Sequence, residues 1–179
     1  EDYNPRYVEV SFSNTCNLKC AYCGPQYSSK WVEEIEKHGH YQTSTRFNSI
    51  EDISGRDEMP YKQTEYNPYI EAFWKWWPDL YPDLHTFRIT GGEPLLSPNT
   101  FKVLEYIQEH WEQNPNISLA INTNLSVPQK LIDKLITIAE DLVNNNKVRE
   151  LIIFTSIEAT GRQAEYVRFG LNAEEFWSN

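Results

Sequence analysis

Strand and helix alternate four times along the 179 residues of this chain. That alternation predicts an α/β fold on a parallel sheet with right-handed crossovers. Two further observations agree. Each expected strand ends in small or polar residues, where folds of this kind place their chemistry. The composition, 40% hydrophobic and 14% aromatic with six Trp, suffices for one buried core and is not that of a disordered chain. Four strands do not close a barrel. The pattern therefore fits an open sheet or an unfinished barrel, and the ending in Phe176-Trp177-Ser178-Asn179 favours an incomplete copy of something longer.

Tyr7-Val8-Glu9-Val10-Ser11-Phe12 alternates with the two-residue period of a strand. It runs into a loop that Gly24-Pro25 helps to end. Ser28 or Ser29 then caps a helix with Trp31 and Ile35 on its apolar side and Gly39 as its stop. His40 to Glu65 is polar and aperiodic, and reads as an insertion loop. Asn67-Pro68 starts the next helix, with a side-chain cap and Pro in the first turn. Ile70, Phe73, Trp74 and Trp77 follow at helical spacing until Pro78, which is expected to stop it. This Trp-rich face reads as core packing rather than a ligand site.

Leu84 to Thr90 reads as the second strand and ends in Gly91-Gly92-Glu93-Pro94. Ser97-Pro98 opens a helix with Phe101, Leu104, Ile107 and Trp111 on one face. Ile117 to Ile121 is the third strand, ending in Asn122-Thr123-Asn124. Ser126 and Gln129 suit a capping box for a helix carrying Leu131, Leu135, Ile138 and Leu142. Arg149 to Phe154 is the fourth strand, apolar enough to be buried on both faces, and ends in Thr155-Ser156.

The loop after the first strand holds all three cysteines, Cys16, Cys20 and Cys23, in the order C-x3-C-x2-C. An uneven, clustered set is no disulfide framework and points to a reducing interior, with the cytoplasm as the default location in the absence of any signal. A four-iron cluster needs four ligands, so three thiolates leave one iron open. Structural zinc is usually closed by four protein ligands, and His38 and His40 lie beyond the next helix. A net charge of −10 disfavours nucleic acid or an anionic membrane as partner. No apolar run approaches 18 residues and no apolar leader is seen. The start at Glu1 rather than Met suggests some trimming.

The cysteine spacing on a loop after a first strand, with aromatic Tyr22 before the last Cys, resembles the radical S-adenosylmethionine (radical SAM) enzyme family. Gly91-Gly92-Glu93-Pro94 is similar to that family's Gly-Gly-Glu-Pro motif, and Thr123-Asn124 to its Thr-Asn pair, with Leu125 where Gly is usual. Ser156 and Arg168 resemble the Ser and Arg that some members use on the cofactor's ribose and carboxylate.

The resemblance implies a partial TIM-like (β/α) barrel, here four of six strand–helix units, with residues 1–179 forming a core domain incomplete at its C-terminus. It implies that Cys16, Cys20 and Cys23 bind a [4Fe-4S] cluster whose open iron takes S-adenosyl-L-methionine. Tyr22, Gly91, Gly92, Glu93, Thr123, Ser156 and Arg168 would hold that cofactor, with no side chain assigned a catalytic role. Glycines there let backbone approach a ligand closely. The implied reaction is reductive cleavage to a 5′-deoxyadenosyl radical that abstracts hydrogen from a substrate. The spacing of Ser156 and Arg168 looks most like the twitch or SPASM branch, several of whose members modify peptides or proteins. An electron donor such as a flavodoxin or ferredoxin is implied as partner. The alternative is a non-catalytic iron–sulfur or zinc-binding module, which explains the cysteines but not Gly91-Gly92 or Ser156. An ordinary nucleotide-binding domain would need a glycine-rich loop where the cysteines stand.

Overall fold

The computed structural model describes residues 3–42, 44, 49–50 and 59–179. Half of the expected His40–Glu65 insertion therefore lies outside the described residues. Four strands form one parallel sheet in the order β1, β3, β4, β5: β1 (Tyr7–Ser11), β3 (Thr86–Thr90), β4 (Ser118–Thr123) and β5 (Glu150–Thr155). Helices α2 (Pro68–Leu80), α3 (Pro98–His110) and α4 (Gln129–Asn144) make the crossovers, and α1 (Ser29–His38) follows the cysteine loop. The sheet does not close into a barrel among the described residues. None of the described helices is long and apolar enough to cross a membrane.

The core lies between the sheet and the helices. Phe87 and Ile89 from β3, and Leu119 and Ile121 from β4, meet Trp77, Leu104, Ile107, Leu135 and Ile138 there. Trp77 is fully buried and stacks with Phe73 at 5.1 Å between ring centroids, so the Trp-rich face does pack the core. Burying side chains of this size stabilises by about 1.5–3 kcal/mol each.

Three local expectations change. The second helix continues through Pro78 to Leu80 and passes into a 3-10 turn, Tyr81–Asp83. Pro78 sits in the last turn, where little helix remains to be broken. Ser126 does not cap α4. Its hydroxyl donates to the Asn124 carbonyl, Pro128 occupies the capping position, and Gln129 bonds Asp133 instead. Finally, β5 is not buried on both faces: Ile152, Ile153 and Phe154 are exposed. It is an edge strand, paired on one side only, with β4.

The chain beyond Ser156 also has structure. Helix α5 (Gly161–Val167), the two-residue strand β6 (Arg168–Phe169) and helix α6 (Ala173–Ser178) fold back onto the cysteine loop. There β6 pairs antiparallel with β2 (Lys19–Cys20). Leu18, Cys16 and Cys20 share a small second core with Ala164, Leu171 and Phe176. Leu125 packs against both cores.

Candidate cofactor site

The cysteine loop is fastened to the start of α1. The Ser29 amide donates to the Asn14 carbonyl (2.8 Å) and the Cys16 amide to the Ser29 hydroxyl (3.1 Å). Ser28 stands at the N-cap of α1 as expected, but its hydroxyl donates to the Leu18 carbonyl at 2.7 Å rather than to the helix, and the Trp31 indole donates to the Cys20 carbonyl at 3.0 Å. Ser and Trp at the head of α1 thus set the path of the loop.

The Gly91-Gly92 turn is the loop's other neighbour. The Gly92 amide donates to Ser13 (3.1 Å) and the Glu93 amide to Thr15 (2.8 Å). A Cβ on Gly92 would fall 2.5 Å from the Thr15 carbonyl oxygen and 2.6 Å from that of Asn14. Gly91 has φ +122, and its Cβ would meet the Ser13 carbonyl at 2.8 Å. The close approach these glycines permit is thus to the backbone of the cysteine loop as well as to the cavity they line.

That cavity, of about 200 Å³, lies at the C-terminal ends of the parallel strands. It brings together Cys16, Cys20, Cys23, Tyr22, Gly91, Gly92, Thr123, Ser156 and Arg168, nine of the ten residues singled out in the sequence. Glu93 is the exception. It is buried behind the wall, where its carboxylate accepts from the Leu95 amide (3.0 Å), the Thr123 hydroxyl (2.7 Å) and the Asn124 amide (2.7 Å). Burial raises its pKa against these three bonds.

All three thiols are free, Cys16 and Cys20 buried and Cys23 half-buried. Cys20 is pulled down to about 7, chiefly by a hydrogen bond from the Cys23 thiol, with Arg168 adding to it. Burial pushes Cys16 up, and the bond to Cys20 pushes Cys23 up. The hydrogen-bonded Cys20–Cys23 pair therefore loses its first proton below the ordinary thiol range, and thiolates are what metals bind. Among the described residues, no three His, Cys, Asp or Glu side chains are arranged around a single-ion position. The cysteines ring a cavity instead, and this donor set fits a cluster with one iron left open.

Other residues at or beside the cavity add to these ten. Thr90 and Asn122 belong to the strand ends, and Asn122 accepts from Arg88 at 3.0 Å. Asn124 places its amide nitrogen 3.9 Å from the Cys16 sulfur and 3.0 Å from Asn17 Oδ1. Glu158 accepts from Tyr22 at 2.8 Å and from Arg168 Nε at 2.7 Å. The hydrogen bond from Arg168 is the main cause of a lowered Glu158 pKa. The polar run Asn122-Thr123-Asn124 was a visible signal; nothing near Glu158 in the sequence marks its partner.

Comparison with known proteins agrees with this donor set. The model of the Radical SAM superfamily matches residues 10–146. The GTP 3′,8-cyclase of Sulfurovum sp. (strain NBC37-1) is 25% identical over 129 residues, covering 72% of this chain and 30% of that protein. The chain thus spans under a third of the length of the curated relative it matches. With its cysteine loop and parallel strand ends inside the matched region, the chain belongs to the radical SAM superfamily, whose enzymes use a [4Fe-4S] cluster and S-adenosylmethionine.

Proposed function

We propose that this chain is the core domain of a longer radical SAM enzyme in which Cys16, Cys20 and Cys23 hold the [4Fe-4S] cluster. The observation that carries the reading is the convergence of every cysteine in the chain on one cavity with Gly91, Gly92, Thr123, Ser156 and Arg168. When bound, the cluster and S-adenosylmethionine supply one-electron cleavage of a carbon–sulfur bond and a 5′-deoxyadenosyl radical that takes hydrogen from the substrate. The protein's own part is to bind and orient. The three thiolates would ligate iron, and the Gly91-Gly92 backbone would meet the cofactor's amino group. Ser156 and Arg168 would take its ribose and carboxylate, and Tyr22 its adenine. Glu93, turned inward, holds Thr123 and Asn124 in place rather than meeting the cofactor.

For the substrate we favour a peptide or protein. Tyr27 lines both the cofactor cavity and a neighbouring cleft of about 860 Å³. The described lining of that cleft carries no charged side chain and offers Ser11, Ser13, Gln26, Asn67, Tyr61 and Tyr69. Gln26 Oε1 is buried and has no hydrogen-bond partner. Neutral amide and aromatic groups suit a peptide better than a triphosphate, which calls for Arg or Lys. The reading extends to the twitch or SPASM branch, to a flavodoxin or ferredoxin as electron donor, and to the cytoplasm, where thiols stay reduced.

The test is anaerobic reconstitution with iron and sulfide, followed by reduction in the presence of S-adenosylmethionine. The expected result is cluster absorbance and 5′-deoxyadenosine, both absent from Cys20→Ala. Undiminished cluster absorbance in that variant, or no cleavage by the wild type, overturns the reading.

A further inference from the structure

Resting on that reading, we propose that Arg168 is a positioning residue for the cluster ligand Cys20, and sets the cluster's reduction potential by donating a hydrogen bond to its sulfur.

Backbone geometry puts the two residues together. Cys20 and Arg168 are direct partners on the β2–β6 ladder, and opposite residues of an antiparallel pair project side by side on one face. The pairing is extended by the Ala21 amide, which donates to the Val167 carbonyl at 2.8 Å. It is closed at its other end by Gly170, which has φ +103 and whose Cβ would fall 3.2 Å from the Asn17 carbonyl oxygen. A side chain there would be strained at this φ and would crowd the loop next to Arg168.

The side chain is then fixed by three groups. Arg168 is 4% exposed. Its Nε donates to Glu158 Oε2 at 2.7 Å and its Nη2 to Oε1 at 2.5 Å, the two-pronged pairing that guanidinium and carboxylate geometry favours. Glu158 is held from the other side by the Tyr22 hydroxyl at 2.8 Å, and the guanidinium lies 5.5 Å from the centre of the Tyr22 ring. With this fork occupied, Nη1 is aimed at the Cys20 sulfur, 3.7 Å away.

Hydrogen bonds to the ligand sulfurs and nearby charge are among the levers that set an iron–sulfur potential. A donor carrying positive charge stabilises the more negative, reduced cluster. Of the five N–H groups of an Arg, two remain for the cofactor carboxylate, so the two roles are separable by measurement.

The test is a redox titration, followed by electron paramagnetic resonance, of reconstituted wild type and Arg168→Gln without S-adenosylmethionine. Iron per chain and cofactor affinity are measured on the same samples. The expected result is wild-type iron content with a cluster reduced only at lower potential. Arg168→Lys keeps the charge but not the fork, and is expected between the two. A fully loaded Arg168→Gln protein with an unmoved potential overturns the assignment. It does so most clearly if cofactor affinity falls tenfold or more, which would give Arg168 to the cofactor alone. If Arg168→Gln does not hold a cluster, Arg168→Lys decides, and a wild-type potential there overturns the proposal. A wild-type chain that takes up no cluster overturns the functional reading along with it.

Discussion

The hydrogen of Gly92 points at the Thr15 carbonyl, and a methyl group in its place would sit 2.5 Å from that oxygen. The clash is with backbone, which cannot swing away as a flexible side chain can. Gly92→Ala is therefore expected to push the Gly-Gly turn off the cysteine loop, at about 1–3 kcal/mol for overpacking. Urea unfolding of the apo protein should show that loss, and reconstituted samples should carry less iron per chain. Wild-type stability and iron content together would show that the loop does not depend on this contact.

Glu93 carries the pH dependence of the same wall. Burial keeps its folded pKa above the ordinary 4.5, so the folded chain binds more protons than the unfolded one just above that value. Stability from this group is full below pH 4.5 and falls as pH rises through the raised pKa. Glu93→Gln removes that slope. It also turns an NH2 toward backbone or hydroxyl donors, costing about 1–3 kcal/mol. Unfolding free energies of the two proteins across mildly acidic to neutral pH should therefore converge as pH rises. A constant difference would mean that Glu93 is ionised throughout.

Leu125 stands in the left-handed region, φ 51, at the position where the family usually has glycine. A side chain there costs about 1–2 kcal/mol, and Leu125 offsets it by packing against both cores. Leu125→Ala loses the packing and keeps the strain, whereas Leu125→Gly loses both. The glycine variant is expected to be the more stable of the two by about 1 kcal/mol, measured as the shift in urea midpoint. An alanine variant at least as stable as the glycine one would remove strain from the account.

Trp77 should be the most sensitive core position on α2. It is fully buried among Phe73, Tyr81 and Phe87, and its indole N–H has no acceptor. Trp77→Ala is expected to cost about 3–5 kcal/mol by leaving a cavity. Trp77→Phe should cost much less, because it also removes the unpaired donor. Similar losses in thermal unfolding for both would assign Trp77 more than packing.

Read along the chain, the amino acids determined the order of the four main strands and of the helices between them, because periodicities of 2 and 3.6 are local properties. They also determined the chemistry, because Cys16, Cys20 and Cys23 lie within eight residues and need no fold to be neighbours. Tertiary structure decided the rest. The edge position of β5, exposed despite its apolar run, follows from its having β4 on one side only. The inward turn of Glu93 follows from three donors that converge from Leu95, Thr123 and Asn124. The meeting of Arg168 with Cys20, across 148 residues, exists only because β6 folds back onto β2. Contacts of that separation are set by packing and backbone pairing between distant segments, and no local pattern of residues encodes them.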